Sequence, residues 1–486
     1  MSPELLGGIM LSLMLLVIFI GFPISFTLLL LGLVFGWIGL GDRAFYLMVF
    51  QTIGLMKEEV LAAVPLFIFM GYLMEQGGLM ERLFKGFQLL MGPVPGSLYV
   101  GVLVTATIFG IAAGTVGATV VLMGIMSVPI LTKSGYDIRM SAGAITAGGT
   151  LGILIPPSVM LIVMGPVLGV SVSDLYASAF GPGFLLAGIY LTYLLGRSFL
   201  NPKLGPPVPM EERVHSVTAM VKEVLVGVVP LIALIGAALG SILAGLATPT
   251  EAAGIGALGA ALIAACYGKL SYAGVKRAVL STTATSAMVL LLAVTSNIFG
   301  AVFARMGTAN WITETMLALP LSPVMMLVVV LFLIFLLGWP FEWPAIILVF
   351  LPIFYPVMDA LRPALGEAMG IPVDMVMVWF GALVAVTLQT AFLSPPVAMS
   401  AYYLRQVVKE WSLATIYKGM FEFMILQCIA IGLIIAFPAI ATWFPERLQA
   451  ESRAVKTEEV DDSMNSLEED PLKQGQDSEE GAGEKK

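Results

Sequence analysis

The sequence has little charge and few of the side chains that usually carry enzymatic chemistry. Only 12% of its 486 residues are charged, about half the share in an ordinary soluble domain. The single histidine, His215, lies in a polar stretch, which argues against a histidine-based active site or a transition-metal centre. Cys266 and Cys428 show neither metal-ligand spacing nor a disulfide framework. A Walker A sequence is also missing, so we expect no ATP hydrolysis, no other enzymatic activity and no nucleic-acid partner.

Apolar residues are abundant instead. They make up 59% of the chain, which also contains 51 Gly and 29 Pro. A soluble fold of this length has too little interior to bury so much apolar surface, whereas a lipid bilayer solvates it. Gly and Pro are also more frequent in membrane helices than in soluble ones. The composition therefore predicts an all-α polytopic membrane protein.

The net charge of −8 is concentrated at the C-terminus. Twelve acidic and five basic residues follow position 450, so this segment holds seven of the eight net negative charges. It contains no aromatic residue and few large apolar ones, a composition typical of disordered segments. We therefore expect residues 446–486 to form a disordered acidic tail on a nearly neutral membrane body.

Ten apolar runs are long enough to cross the membrane, since a spanning helix needs about 20 residues. The predicted crossings are 5–20, 24–41, 61–79, 138–165, 180–199, 224–245, 252–268, 278–304, 374–404 and 419–443. Two further runs, 97–131 and 323–356, are interrupted near the middle by polar, Gly or Pro residues. Each interruption favours a re-entrant helical hairpin over a continuous crossing.

The distribution of Lys and Arg predicts the orientation, because these residues accumulate in cytoplasmic loops. Alternate loops are basic, among them 200–223, which we interpret as a cytoplasmic linker. The first hairpin then opens to the cytoplasm and the second to the periplasm, with both termini outside the cytoplasm. Residues 1–199 and 224–445 each contain five crossings and one hairpin, and an odd number of crossings inverts the second copy. Two inverted repeats are a recurring plan among secondary transporters.

Two predicted crossings contain adjacent prolines at matching places. Pro156 and Pro157 interrupt 138–165, and Pro395 and Pro396 interrupt 374–404. Proline has no backbone N–H, so each pair breaks its helix and frees carbonyl groups. Within a membrane such groups usually line a cavity that holds ions or anionic substrates. The alternative is a kinked helix that only packs against its neighbours.

Two charged residues are candidates for ligand binding. Glu342 lies in the middle of the second hairpin, in an otherwise uncharged stretch. A carboxylate at membrane depth usually faces a cavity or a partner, so Glu342 is a candidate cation ligand or a stabiliser of the hairpin tip; a position at an aqueous mouth is the alternative. Arg305 ends a crossing and is a candidate contact for an anionic substrate, although an arginine there more often extends to the membrane interface.

The two proline pairs, together with Thr248-Pro249-Thr250-Glu251-Ala252-Ala253 and Thr285-Ser286-Ala287-Met288, resemble the large membrane subunit of TRAP (tripartite ATP-independent periplasmic) transporters. The resemblance covers about residues 5–445. It implies a bacterial inner-membrane permease of elevator type, coupled to Na⁺. It also implies a small four-helix membrane subunit and a periplasmic binding protein that delivers an organic acid.

The resemblance further implies two Na⁺ sites, each combining a hairpin with a broken helix. The first would contain Thr115, Gly117, Thr150, Gly152 and Pro156. The second would contain Gly338, Thr387, Thr390 and Ser394. The remaining candidates, for substrate contact or hairpin structure, are Thr119, Glu342, Pro157, Pro395, Pro396 and Arg305.

The sequence leaves alternatives open for the substrate and for the class of protein. The stretch Phe341-Glu342-Trp343-Pro344 resembles a branch of the family linked to 2-oxo acids and related monocarboxylates. A stand-alone Na⁺/dicarboxylate symporter that needs no binding protein is the second interpretation. An intramembrane enzyme would need paired acids or a nucleophile–base pair at depth, and an ion channel would not need two inverted hairpins.

Overall fold

A computed structural model describes residues 3–91, 94–207, 217–395 and 398–451. Within these ranges all regular structure is helical, which confirms the all-α prediction. The helices are α1 (Pro3–Ile20), α2 (Ile24–Leu40), α3 (Arg43–Met56), α4 (Ala63–Gln76), α5 (Leu79–Met91), α6 (Ser97–Ala113), α7 (Val116–Lys133), α8 (Ile138–Leu154), α9 (Val159–Leu168), α10 (Val172–Leu200), α11 (Val217–Leu243), α12 (Pro249–Cys266), α13 (Tyr272–Arg305), α14 (Thr308–Leu317), α15 (Pro323–Leu337), α16 (Trp343–Ala345), α17 (Leu351–Ala360), α18 (Arg362–Met369), α19 (Val373–Leu393), α20 (Met399–Val407), α21 (Leu413–Ala436) and α22 (residues 439–451). A short 3₁₀ helix, Glu59–Ala62, precedes α4, and a π-helical turn, Ile346–Phe350, joins α16 to α17.

The described residues contain nine helices that are long and apolar enough to cross a membrane, or ten if α8 and α9 count as one bent span. This total equals the number of predicted crossings, but the two sets do not contain the same segments. The predicted crossings 5–20 and 24–41 form shorter apolar helices, whereas α7 and the continuous stretch Trp343–Ala360, both second arms of predicted hairpins, have full spanning length. The structure thus confirms a polytopic membrane protein.

Several helices lie between or beyond the predicted crossings. Helices α3, α5, α14 and α18 have 14, 13, 10 and 8 residues, too few to register as membrane spans. The last predicted crossing ends earlier than expected, because α21 stops before Phe437-Pro438 and α22 begins at residue 439. Residues 446–451 are therefore helical, although we expected the tail to begin at 446. The rest of that predicted tail lies outside the described residues, as does 208–216 of the predicted linker.

Both interrupted apolar runs form two helical arms, and each proline pair separates two helices. That the two arms of each run enter and leave on the same side of the membrane stays a prediction. Helices α6 and α7 form the first hairpin around Gly114, whose φ of +63° is the left-handed conformation that glycine adopts without strain. Helices α15 to α17 form the second hairpin. Helices α8 and α9 are bent by 49° at the first proline pair. The order of hairpin, broken helix and long helix occurs twice, in α6–α10 and α15–α21, while the inverted relation of the two halves stays a prediction.

Two sets of helices each pack extensively among themselves, although α4 and α5 also pack against α6 across them. In the scaffold group, α13 packs against α2, α3 and α4, and α12 packs against α4 and α11. In the core group, α8 packs against α6, α7 and α21, and α19 packs against α10, α15 and α21. The predicted hairpins and broken helices all belong to the core group. The functional candidates are therefore concentrated in one of the two groups.

Candidate ion and substrate site

The tips of both hairpins and the breaks of both helices meet at one cavity of about 150 Å³. The first hairpin contributes Gly114–Gly117, and the second contributes Glu342, Trp343 and Pro344. The broken helices contribute Ile153, Val159, Phe392 and Met399. The scaffold group closes the remaining side with Ile68 of α4 and with Thr285, Met288 and Val289 of α13. The cavity therefore lies at the boundary between the two packing groups.

Four helices begin at this cavity. Val116, Val159, Trp343 and Met399 are the first residues of α7, α9, α16 and α20, and all four line it. The N-terminus of a helix carries a partial positive charge and free N–H groups, which favour anions. None of the described lining residues is a lysine or an arginine. Among the described lining residues, helix N-termini are therefore the source of positive potential.

The first break is held together by hydrogen bonds to Ser158. The carbonyl of Ile153 would normally accept from residue 157, but that residue is a proline without an N–H. The hydroxyl of Ser158 donates to this carbonyl instead. The N–H of Ser158 donates to the hydroxyl oxygen of Tyr176 in α10 over 3.3 Å, and that hydroxyl donates to the Ser158 carbonyl over 3.4 Å. The break is thus a defined structure tied to a neighbouring helix.

Other backbone groups at this break remain available to a ligand. The buried carbonyls of Gly152, Leu154 and Pro156 accept no hydrogen bond from the described residues. Backbone carbonyls freed by helix breaks are the groups that coordinate Na⁺ in transporters. Gly152 and Pro156, two of the predicted ligands, therefore have the oxygen atoms that the role requires. The hydroxyl of buried Thr150 donates to the Ala147 carbonyl over 2.9 Å and keeps its oxygen lone pairs.

The second break also contains buried polar atoms without partners. Within the described part of the chain, neither the Ser394 hydroxyl nor the side-chain carbonyl of Gln389 makes a hydrogen bond. Thr387 and Thr390 lie in the same helix, where their hydroxyls donate to the carbonyls of Leu383 and Thr387. Buried polar atoms in native proteins are usually satisfied, so unpaired ones are candidates for contact with water or a ligand. These oxygens suit the predicted second Na⁺ site.

The hairpins pack closely on these breaks. A Cβ at Gly117 would lie 3.1 Å from the ring of Tyr403 in α20, and a Cβ at Gly338 would lie 2.9 Å from that of Ala391 in α19. Both predicted glycines therefore bring a hairpin against the second broken helix. Thr119 does not line the cavity. Its hydroxyl donates to the Thr115 carbonyl over 2.9 Å and stabilises the start of α7.

The charged candidates differ in their positions. Glu342 lines the cavity and is exposed, which fits both a cation ligand and the alternative position at an aqueous mouth. Arg305 is exposed at the end of α13 and is not among the residues that line the cavity. The structure therefore does not bring it to the site. Pro157 and Pro395 lie at their breaks, and Pro396 lies outside the described residues.

Sequence analysis did not assign several residues that belong to this region. Tyr403 lines the cavity, and Thr285 both lines it and lies 3.1 Å from the Tyr72 hydroxyl. Thr285 belongs to the Thr285–Met288 stretch that carried the family resemblance, so a signal was present. The other stretch that carried the resemblance begins at Thr248 and forms the start of α12. There Thr248 and Glu251 form a capping box, which stabilises the helix. Nothing in the sequence indicated that Tyr176 reaches Ser158.

Comparison with known proteins identifies the family. The sequence model of the tripartite ATP-independent periplasmic transporter, DctM component, matches residues 11–440. The chain belongs to this family. It is thus a permease component of a transporter and a multi-pass protein of the bacterial inner membrane. This confirms the resemblance to the large TRAP subunit.

Three similar proteins are TRAP permeases that are named for different substrates. The C4-dicarboxylate large permease DctM of Rhodobacter capsulatus is 27% identical over 92% of this chain and 100% of its own length. The sialic acid permease SiaT of Haemophilus influenzae is 26% identical over 89% of this chain and 67% of its own length. The 2,3-diketo-L-gulonate large permease YiaN of Escherichia coli is 28% identical over 69% of this chain and 75% of its own length.

Two solved structures have a similar fold. The YdaH transporter of Alcanivorax borkumensis has a TM-score of 0.57 at 16% identity, covering 92% of this chain and 99% of its own. MtrF of Neisseria gonorrhoeae, described as belonging to a class of antimetabolite efflux pumps, has a TM-score of 0.54 at 16% identity, covering 82% and 84%. At this identity the similarity concerns the fold alone, which is that of membrane transporters.

Proposed function

We propose that the chain couples the entry of Na⁺ to the uptake of a small organic acid anion. In this proposal a periplasmic binding protein delivers the acid, and a small four-helix membrane subunit completes the transporter. The observation that carries the proposal is the meeting of both hairpin tips and both helix breaks at one cavity. Such a junction between repeats is where secondary transporters bind their substrate and coupling ions.

The oxygen atoms at the two breaks support Na⁺ coupling. The first break offers buried carbonyls at Gly152, Leu154 and Pro156 that accept no hydrogen bond from the described residues. The second offers the unpaired Ser394 hydroxyl and Gln389 carbonyl. Neutral oxygen ligands suit a hard monovalent cation. Among the described residues, no group of three or more His, Cys, Asp or Glu side chains is placed to hold a multivalent metal.

The helix termini and the size of the cavity support a small anionic substrate. Four helix N-termini meet there, and the relatives named above are permeases for C4-dicarboxylates, sialic acid and 2,3-diketo-L-gulonate, all of them organic acids. At about 150 Å³, the cavity is smaller than the 300–1,000 Å³ typical of ligand pockets. This volume favours a short-chain acid over one as large as sialic acid. A 2-oxo acid stays the specific prediction.

An elevator movement is the transport mechanism we propose. The cavity lies between the core group and helices α4 and α13 of the scaffold group, so motion of the core past the scaffold would carry the bound substrate. At this boundary a Cβ on Gly71 of α4 would lie 2.1 Å from the Ala113 carbonyl oxygen at the end of α6. This contact brings the backbones of the two groups together where such a movement would take place.

Uptake into proteoliposomes tests the proposal. The vesicles would contain this chain with its small membrane partner, and labelled 2-oxo acids and dicarboxylates would be supplied with or without an inward Na⁺ gradient and the binding protein. We expect uptake that requires both. Uptake that needs Na⁺ but no binding protein would instead indicate the stand-alone symporter, and uptake indifferent to Na⁺ would refute the coupling.

A further inference from the structure

Tyr176 is a fully buried residue of α10 that contacts the first helix break without lining the cavity. Its hydroxyl accepts from the Ser158 N–H and donates to the Ser158 carbonyl. We propose that Tyr176 is a positioning residue that fixes the carbonyl oxygens of this break and thereby sets the affinity for the coupling Na⁺. This inference rests on the proposed function and extends it to a residue outside the ion site.

The need for such a residue follows from the two prolines. Because residues 156 and 157 have no N–H, the carbonyls of Gly152 and Ile153 lose their helical partners. The Ser158 hydroxyl holds the Ile153 carbonyl, while that of Gly152 stays available. Ser158 is therefore the hinge between helix α8 and helix α9. Any rotation of its peptide groups would move the neighbouring free carbonyls of Leu154 and Pro156.

The chemistry of tyrosine suits this hinge. Only a group that both donates and accepts can satisfy an N–H and a carbonyl at the same time, and a hydroxyl does so. The Tyr176 ring is rigid and completely buried, so the hydroxyl has a fixed position. Since Tyr176 belongs to α10, the contact ties the break to a third helix. The geometry of the free carbonyls is then set before an ion arrives, which favours binding.

The hydrogen bonds of Tyr176 belong to the first break. At the second break, Ser394 precedes the proline pair as Ile155 does at the first, and the N–H groups of both residues donate one turn back, to the carbonyls of Thr390 and Leu151. The position that corresponds to Ser158 is 397, which lies outside the described residues. Because both hydrogen bonds of the Tyr176 hydroxyl go to Ser158, a change at Tyr176 should act on ion binding through the first break.

The test is Tyr176→Phe, which keeps the ring and removes the hydroxyl. The control is Tyr190→Phe in the same helix; Tyr190 is also fully buried, with its ring packed on Phe423 at 5.0 Å between centroids. Initial rates of acid uptake would be measured against Na⁺ concentration in proteoliposomes containing the complete transporter. The thermal stabilisation of the purified full chain by NaCl, relative to choline chloride, would be measured in parallel.

We expect Tyr176→Phe to raise the half-saturating Na⁺ concentration by roughly five-fold, the equivalent of about one hydrogen bond. The maximal rate at saturating Na⁺ should stay near that of the wild type, and the stabilisation by NaCl should decrease. Tyr190→Phe should leave the Na⁺ dependence unchanged. A role limited to packing or stability would lower the amount of folded protein or the maximal rate but would not shift the Na⁺ dependence.

A wild-type Na⁺ dependence in Tyr176→Phe would overturn the inference and leave the proposed function standing. Wild-type uptake that is independent of Na⁺ would overturn the proposed function itself. If Tyr176→Phe does not fold, replacement of Tyr176 by 4-aminophenylalanine decides the question, because it keeps the ring and a donor but is a poorer acceptor for the Ser158 N–H. We expect the same shift to higher Na⁺ concentrations, and an unchanged half-saturation in that variant would refute the positioning role.

Discussion

Gly152→Ala is the most direct test of how the first hairpin packs beside the proposed ion site. Gly152 of α8 faces Gly110 of α6, and an added Cβ would lie 2.2 Å from both the Cα and the carbonyl carbon of Gly110. These are backbone atoms, so no side chain can rotate away and the two helices must separate. Overpacking of this kind costs about 1–3 kcal/mol or more.

We expect the apparent melting temperature of the purified chain to fall by roughly 1–3 °C. Na⁺-driven uptake should fall further than stability alone explains, because the displaced segment carries the free Gly152 carbonyl. The control is Gly188→Ala in α10, where an added Cβ meets nothing within 4 Å. That change should be neutral or slightly stabilising, since alanine favours helices. Equal melting temperatures for Gly152→Ala and the wild type would refute the close contact between α6 and α8.

Four further changes have distinct expected results. Glu342→Gln keeps the size of the side chain and removes its charge, so initial uptake rates should fall or require more Na⁺; an unchanged Na⁺ dependence would make the carboxylate peripheral. Ser394→Ala removes an unpaired buried hydroxyl, so stability without Na⁺ should rise by up to about 1 kcal/mol while the thermal shift produced by NaCl decreases; a full thermal shift would exclude Ser394 as a ligand. Thr248→Ala breaks the capping box of α12 and should cost about 1 kcal/mol without altering Na⁺ half-saturation, whereas an altered half-saturation would contradict its assignment to the scaffold. Truncation after Glu451 removes most of the acidic tail and should preserve uptake; loss of the response to the binding protein would give the tail a docking role.

The membrane-spanning helices and the helix breaks could be predicted because the sequence features that specify them are local. Length and hydropathy identify spanning helices, and a proline pair breaks a helix wherever it occurs. Both breaks and both hairpins were predicted for these reasons. Short helices such as α3 and α14 were missed because they produce no run of spanning length. The early end of α21 at Phe437-Pro438 was missed because apolar residues continue across it.

From the sequence, the site could be predicted only where a residue type has a direct effect on its own backbone. The proline pair indicated that neighbouring carbonyls would be freed, because proline has no N–H. The Na⁺ roles of Gly152 and Pro156 came from the family resemblance and stay predictions. Tyr176 is one buried aromatic residue among several in α10, and only the packing of α10 on the break gives its hydroxyl a role. Arg305 was a candidate because of its charge. Its distance from the cavity depends on how α13 crosses the scaffold, which local sequence does not specify.

The charges around the cavity give a physical reason for coupling in the proposed function. Glu342 contributes the carboxylate, no lysine or arginine is present among the described lining residues, and helix N-termini supply only partial positive charges. An organic acid anion entering this space would meet a group of the same sign, and the two would repel each other. Cations held by the carbonyls of the two breaks would offset that repulsion. Binding of the acid should therefore become tighter as Na⁺ increases, and by linkage the acid should tighten the binding of Na⁺ by the same factor. Substrate affinity that is the same in NaCl and in choline chloride would show that the protein neutralises the anion without the ion.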